Sequence, residues 1–121
     1  MMLRIQITPS DGGISMAVRG DLDMEGSGEL RVCVSEALQT YRPGHIDLEL
    51  SGVAFIDCSG CRTLLWVQRR MRGRGGTATV VRPSSLVLRL LRLLEFDHEL
   101  TIRSTSEDTT SVSLEAKPGL N

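Results

Sequence analysis

The chain has few aromatic side chains: one Trp, one Tyr and two Phe in 121 residues. A core for this sequence must therefore be aliphatic. Lysine is nearly missing too, with Lys117 alone against thirteen Arg. Three Cys is an odd number. The opening Met1-Met2-Leu3-Arg4-Ile5-Gln6 alternates instead of forming the apolar stretch of a secretory signal. Free thiols in a reducing, cytoplasmic setting are expected, not a disulfide framework. No apolar run approaches the roughly 18–20 residues of a membrane-spanning helix. A formal charge of −1 predicts no generic affinity for nucleic acid or for a membrane surface. His45 and His98 have no ligand spacing and Cys33 lies on a helical core stripe, so no metal site is expected. What remains is one domain, with enough hydrophobic residues (40%) for a packed core.

The small net charge hides a segregation. Residues 1–58 sum to −5, residues 59–94 to +8 with no acid at all, and residues 95–121 to −4. The eight Arg of the middle third are Arg62, Arg69, Arg70, Arg72, Arg74, Arg82, Arg89 and Arg92. Two readings stay open: they meet acids from elsewhere in the fold, or they build a basic surface.

Hydrophobic periodicity gives the elements. Leu3, Ile5 and Ile7, then Ile14, Met16 and Val18, then Ile46, Leu48 and Leu50 alternate with polar or small residues. Thr77–Val81 and Leu100–Arg103 alternate more weakly. Period two predicts strands with one buried face. Asp11-Gly12-Gly13 marks a hairpin turn between the first two. After Asp23, placed as an N-cap, Leu30, Cys33, Val34, Ala37 and Leu38 share one helical face, and Arg42-Pro43-Gly44 ends the segment. A second helix opens near Ser59 and runs to about Arg74. A third opens near Ser84-Ser85 and runs to about Glu95, with a stripe of Leu86, Val87, Leu90, Leu91 and Leu94. The order is β-β-α-β-α-β-α-β: an α/β fold of two layers, with a mixed sheet of about five strands and helices mainly on one face. Residues 104–121 turn polar and read as a flexible tail beyond a domain of residues 1–103.

Phe55-Ile56-Asp57-Cys58-Ser59-Gly60-Cys61 is a strand-to-helix junction. A serine at a helix start either caps free amides or carries a phosphate where the helix dipole already favours an anion. At 100° per residue from Ser59, residues Cys61, Leu64, Leu65, Val67 and Met71 fall on the core side. Arg62, Thr63, Trp66 and Arg70 fall on the Ser59 side. Trp66 is expected either as an interface anchor beside Arg or lying flat on a neighbouring loop. Leu88 points away from the third helix's stripe, beside Arg89 and Arg92.

Three segments resemble the STAS domains of anti-sigma factor antagonists. Val18-Arg19-Gly20-Asp21-Leu22-Asp23 resembles the family's Gly-Glu-Leu-Asp segment, and Ile46–Val53 its central strand and loop. Phe55–Gly60 resembles its Asp-Ser-Ser-Gly loop, with Cys58 replacing the first serine and Cys61 an aliphatic residue. The resemblance covers about residues 1–103. It implies a bacterial partner-switching protein that is not an enzyme and needs no cofactor. Unphosphorylated, such a protein binds an anti-sigma factor that is also a serine kinase, and so controls sigma-dependent transcription. The kinase phosphorylates the serine before the loop glycine, here Ser59, and a serine phosphatase reverses it. The expected partner-binding residues are Asp21, Asp23, Asp57, Cys58, Ser59, Gly60, Arg62, Thr63 and Trp66.

Two rivals accompany this reading. Cys58-Ser59-Gly60-Cys61 is a Cys-x-x-Cys at a helix start, the placement of thiol redox motifs. Against it, Cys61 falls on the core side, and Asp57 beside the first thiol raises a thiol pKa. A STAS module with another regulatory, sensory or transport-accessory role is the second. No phosphate-binding glycine motif supports nucleotide binding.

Overall fold

A computed structural model describes residues 2–104. Five strands and three helices follow in the expected order: β1 (Arg4–Ser10), β2 (Gly13–Leu22), α1 (Met24–Tyr41), β3 (His45–Ile56), α2 (Cys58–Gly73), β4 (Thr77–Val81), α3 (Ser85–Leu93) and β5 (Ile102–Arg103). The sheet order is β1-β2-β3-β4-β5. β1 runs antiparallel to β2 through the turn at Gly12, whose φ of 75° suits glycine. Every later neighbour is parallel, because each crossover carries a helix.

Strand alternation sorts the two faces. Ile14, Met16, Val18 and Leu22 of β2, Ile46, Leu48 and Leu50 of β3, and Ala78 and Val80 of β4 are buried under the helices. Ser15, Ala17, His45, Asp47, Glu49 and Thr79 face the other way and stay partly exposed. That open face carries polar pairs: His45 Nε2 to Asp47 Oδ1 at 2.7 Å, and Arg82 to Glu49 at 3.0 Å. The helices complete the core with Leu30, Val34 and Leu38 from α1, Leu64, Val67 and Met71 from α2, and Val87 and Leu91 from α3. Each such side chain contributes about 1.5–3 kcal/mol on burial.

Two details differ from the sequence reading. Leu86 belongs outside the α3 stripe and is 48% exposed; it sits 100° around the helix from Val87, and a nine-residue helix covers only a narrow strip of sheet. α3 stops at Leu93, two residues short of Glu95, which takes a left-handed φ of 60°. The tail assigned to residues 104–121 lies outside the described residues from 105 onward.

The end of the sheet that carries Ser59 is built by a repeated device. β2 and β3 end in register at Leu22 and Ile56. Each is followed at once by an aspartate that caps a helix. Asp23 Oδ1 accepts from Gly26 N at 2.9 Å, and Asp57 Oδ1 from Gly60 N at 3.0 Å. Both glycines are pressed on backbone. A Cβ on Gly26 would lie 2.3 Å from the Asp21 carbonyl oxygen, and one on Gly60 2.2 Å from that of Leu22 and 2.7 Å from Ile56 Cγ1. The first turn of α2 is thus seated directly on the end of β2.

Gly60→Ala is therefore expected to destabilise the fold by about 1–3 kcal/mol, as overpacking against backbone does. Gly28→Ala in exposed α1, where a Cβ meets nothing within 4 Å, is expected to stabilise it by about 0.5–1 kcal/mol. Thermal or urea unfolding of the two variants checks the opposite signs.

Candidate functional site

Asp57, not Ser59, caps α2. The helix begins at Cys58, so Ser59 is its second residue and its hydroxyl is released from capping. Ser59 Oγ instead donates to Asp57 Oδ1 at 2.5 Å, the same oxygen that accepts from Gly60 N. One carboxylate oxygen therefore fixes both the helix start and the serine rotamer. The Ser59 hydroxyl holds the Asp57 carboxyl below its ordinary range, with the backbone amides of Gly60 and Ser59 adding to it and burial opposing it. Chemically this is an anchored hydroxyl, partly exposed, at the positive end of a helix dipole.

Around it lie the ends of β2 and β3. Asp21 pairs in register with Phe55, and Asp23 follows Leu22 beside Ile56. Cys58 is exposed. The sequence reading passed over two exposed apolar residues at this end, Phe55 (49%) and Met24 (79%). An aromatic two residues before a capping aspartate, at the last outward step of a strand, is the signal that marks Phe55. The spacing Asp23-x-x-Gly26 and Asp57-x-x-Gly60 is the signal for the paired helix starts.

Other expected site residues sit elsewhere than the helical phase implied. Thr63 is fully buried, not exposed beside Ser59, and its Oγ1 accepts from Arg31 Nε at 3.2 Å. The cause is α1, which packs along the flank of α2 and widens its buried arc. Gly60 is buried too and offers no side chain to a partner. Trp66 is half-buried, packed on the core edge. The guanidinium carbons of Arg31 and Arg70 lie over its ring, 5.2 and 5.3 Å from the centroid. It stands in an open cleft of about 620 Å³ that also includes Arg62, Leu65, Arg69 and Phe96. Arg62 is exposed one turn from Ser59.

The Cys-x-x-Cys pair is split by burial. The Cys61 thiol is pushed up to about 12, first by burial and then by Cys58 and Asp57. A redox motif needs an accessible thiolate, so this geometry disfavours thiol catalysis.

With the site in view, comparison with known proteins is direct. A family model described as "Mlab, STAS domain" matches residues 5–103. The chain is 31% identical over 91 residues to the anti-sigma F factor antagonist of Paenibacillus polymyxa, covering 75% of this chain and 78% of that one. Among solved structures, an anti-sigma factor antagonist from Mycobacterium paratuberculosis superposes with a TM-score of 0.77 at 21% identity, over 88% and 89% of the two chains. The phosphorylated form of the Bacillus cell fate determinant SpoIIAA gives 0.66 at 18% identity, over 88% and 96%. These likenesses establish the same fold.

Two measurements test the site's electrostatics. Because Asp57 titrates low in the folded chain, its stabilising contribution is complete above the ordinary carboxyl pKa of about 3.9 and is lost only as pH falls through the lower folded value. Ser59→Ala removes the largest cause, so the Asp57 carboxyl midpoint, followed by carbon NMR, should move upward. Alkylation by iodoacetamide at pH 8 should modify Cys58 well before Cys61; equal rates would mean that the α2 start opens readily.

Proposed function

The chain belongs to the STAS domain family of anti-sigma factor antagonists, and from that premise we propose that the Ser59 end of its sheet is the switch of a bacterial partner-switching pathway. In this reading the unphosphorylated chain binds an anti-sigma factor that is also a serine kinase, and so frees a sigma factor in the cytoplasm. The kinase phosphorylates Ser59: the hydroxyl oxygen bonds to the γ-phosphorus of ATP, the bond to ADP breaks, and the hydroxyl proton leaves. A serine phosphatase reverses the step. ATP belongs to the kinase, and the chain itself acts by binding, without a cofactor.

The observation that carries this reading is the Ser59 hydroxyl, freed from capping by Asp57 and held half-exposed on the first turn of α2. Phe55, Met24 and Cys58 supply exposed apolar surface around it, with Asp21 and Asp23 at the neighbouring strand end. Arg62 and Trp66 extend the surface down α2. Gly60 and Thr63 serve it indirectly, Gly60 by seating the turn and Thr63 by holding Arg31.

The same contact explains how phosphate would switch it. The hydroxyl now gives a proton to the Asp57 carboxylate. A phosphate removes that donor and adds about −1.5 to −2 charges beside the carboxylate. The helix dipole favours the added charge by about 0.3–1 kcal/mol, so the fold survives. An interface closed over the unphosphorylated serine does not, because an unpaired charge pressed into it costs several kcal/mol.

Incubation with the cognate kinase and ATP should add one phosphate, mapped by mass spectrometry to Ser59. Ser59→Asp should bind the kinase at least about tenfold more weakly than Ser59→Ala, with the true phosphoserine reaching roughly a hundredfold. Phosphate mapped to another serine, or equal affinities for the two variants, would remove Ser59 from this role.

A further inference from the structure

Arg62 and Trp66 carry the switch surface into a cleft on α2 whose other arginines the switch does not account for. The cleft is lined by three apolar or aromatic side chains, Leu65, Trp66 and Phe96, and by four arginines, Arg31, Arg62, Arg69 and Arg70. Not all of these cations are equally committed. Arg69 is bound bidentately by Glu99, at 2.7 and 2.9 Å. Among the described residues, no carboxylate forms an ion pair with Arg31, Arg62 or Arg70; the arginines that do so are Arg69, Arg72, Arg82 and Arg103.

Two of the uncommitted guanidiniums are also held in place. Arg31 donates its Nε to buried Thr63, and both Arg31 and Arg70 lie over the Trp66 ring. A guanidinium held against an aromatic ring keeps its in-plane N–H groups free for a carboxylate. Its ordering cost is met before any ligand arrives. The same bond gives the buried Thr63 hydroxyl its partner and fixes the Arg31 side chain at the cleft.

We propose that this cleft binds an acidic protein segment of the anti-sigma partner, with carboxylates on Arg31, Arg62 and Arg70 and an apolar side chain on Trp66. This rests on the reading of the chain as an antagonist and names the chemistry of its second contact. The dimensions set the length. Arg62 and Arg70 are eight positions apart on one helix, about 12 Å at 1.5 Å per residue. An extended peptide covers that in about four residues. The expected ligand is therefore a run of about four residues with an acid at each end and an apolar residue between. Charge complementarity calls for an anionic ligand, and the surroundings favour a peptide over nucleic acid: the cleft's two aromatic side chains, Trp66 and Phe96, are partly buried and offer no exposed stacking platform, and the described surface beyond it carries most of the chain's acids.

Trp66 is the only tryptophan, so its emission reports this cleft in the intact chain. The probe is the aromatic-free peptide Ser-Gly-Glu-Glu-Leu-Glu-Glu-Gly-Ser. Titration should give a saturable change in Trp66 emission that weakens at least about tenfold between low and high salt. The same peptide with Gln for Glu should give none. Arg62→Gln combined with Arg70→Gln should weaken the response at least about tenfold with an unchanged circular dichroism spectrum, since both side chains are exposed. An equal response to the Gln peptide overturns the proposal even if the double variant fails to fold. So does the absence of a saturable change, a matching response to inorganic phosphate, or tighter binding of oligouridylate. The two readings fail separately. A chain phosphorylated at Ser59 whose cleft ignores the acidic peptide loses only the cleft; Ser59→Ala leaves the peptide response intact.

Discussion

The approach of α2 to the end of β2 is the constraint on which the rest of this molecule hangs. A residue larger than glycine at position 60 would collide with the Leu22 carbonyl oxygen and Ile56, so the helix can begin where it does only because that position lacks a Cβ. Asp57 then has one task that no neighbour can take over: its carboxylate collects the Gly60 amide, and without it the first turn would leave an orphaned donor. With turn and cap fixed, α2 lies across the sheet with Cys61, Leu64, Val67 and Met71 all fully buried. The α1 start repeats the arrangement one strand over. The two strand ends, two capping acids and two pressed glycines form one rigid platform.

On the proposed reading, that platform separates stability from signalling. In many helices the residue that caps is the exposed hydroxyl itself, and modifying it would unravel the turn. Here the cap is an aspartate and the hydroxyl lies two residues on, hydrogen-bonded to the cap but not required by the backbone. On the proposed reading, a phosphate on Ser59 changes the charge of the surface while the helix start stays held by Gly60 and Asp57. The change is large because of where it falls: a donor to a carboxylate becomes a dianion beside it.

The sequence was a good guide wherever a single periodicity decided the outcome. Alternation located the strands, and the heptad-like spacing from Leu30 to Leu38 located the buried face of α1. The start of α2 was found to within one residue, but the identity of its cap was not, because Asp57 and Ser59 are both good capping residues and only the backbone placement chooses between them. The helical wheel of α2 was right for the sheet-facing side and wrong for Thr63. A wheel contains one core direction; this helix has two, the sheet and α1. Leu86 failed for the opposite reason, a stripe drawn wider than a short helix can cover. Phe55 and Met24 were passed over because they belong to buried-looking runs, Phe55-Ile56 and Leu22-x-Met24, and only the end of β3 and the first turn of α1 turn them outward.

The arginine-rich middle of the chain resolves into both of the readings its composition allowed. Arg69 and Arg72 meet Glu99, and Arg82 meets Glu49, so part of the excess charge is answered by acids brought in from the flanking thirds. Exposed pairs of this kind contribute little, about 0–1 kcal/mol each, and they do not explain why Arg62 and Arg70, with Arg31 from α1, gather around the only tryptophan. Trp66 does, since a ring on the rim of the core offers guanidiniums a face to lie on without giving up their hydrogen-bonding edges. The aromatic poverty of the chain then takes on a sharper meaning. With the core filled by aliphatic side chains, aromatic residues were left for edges: Phe55 at the end of β3, and Trp66 and Phe96 in the cleft. Each stands where the surface of the domain has a use for a large, flat and partly exposed group.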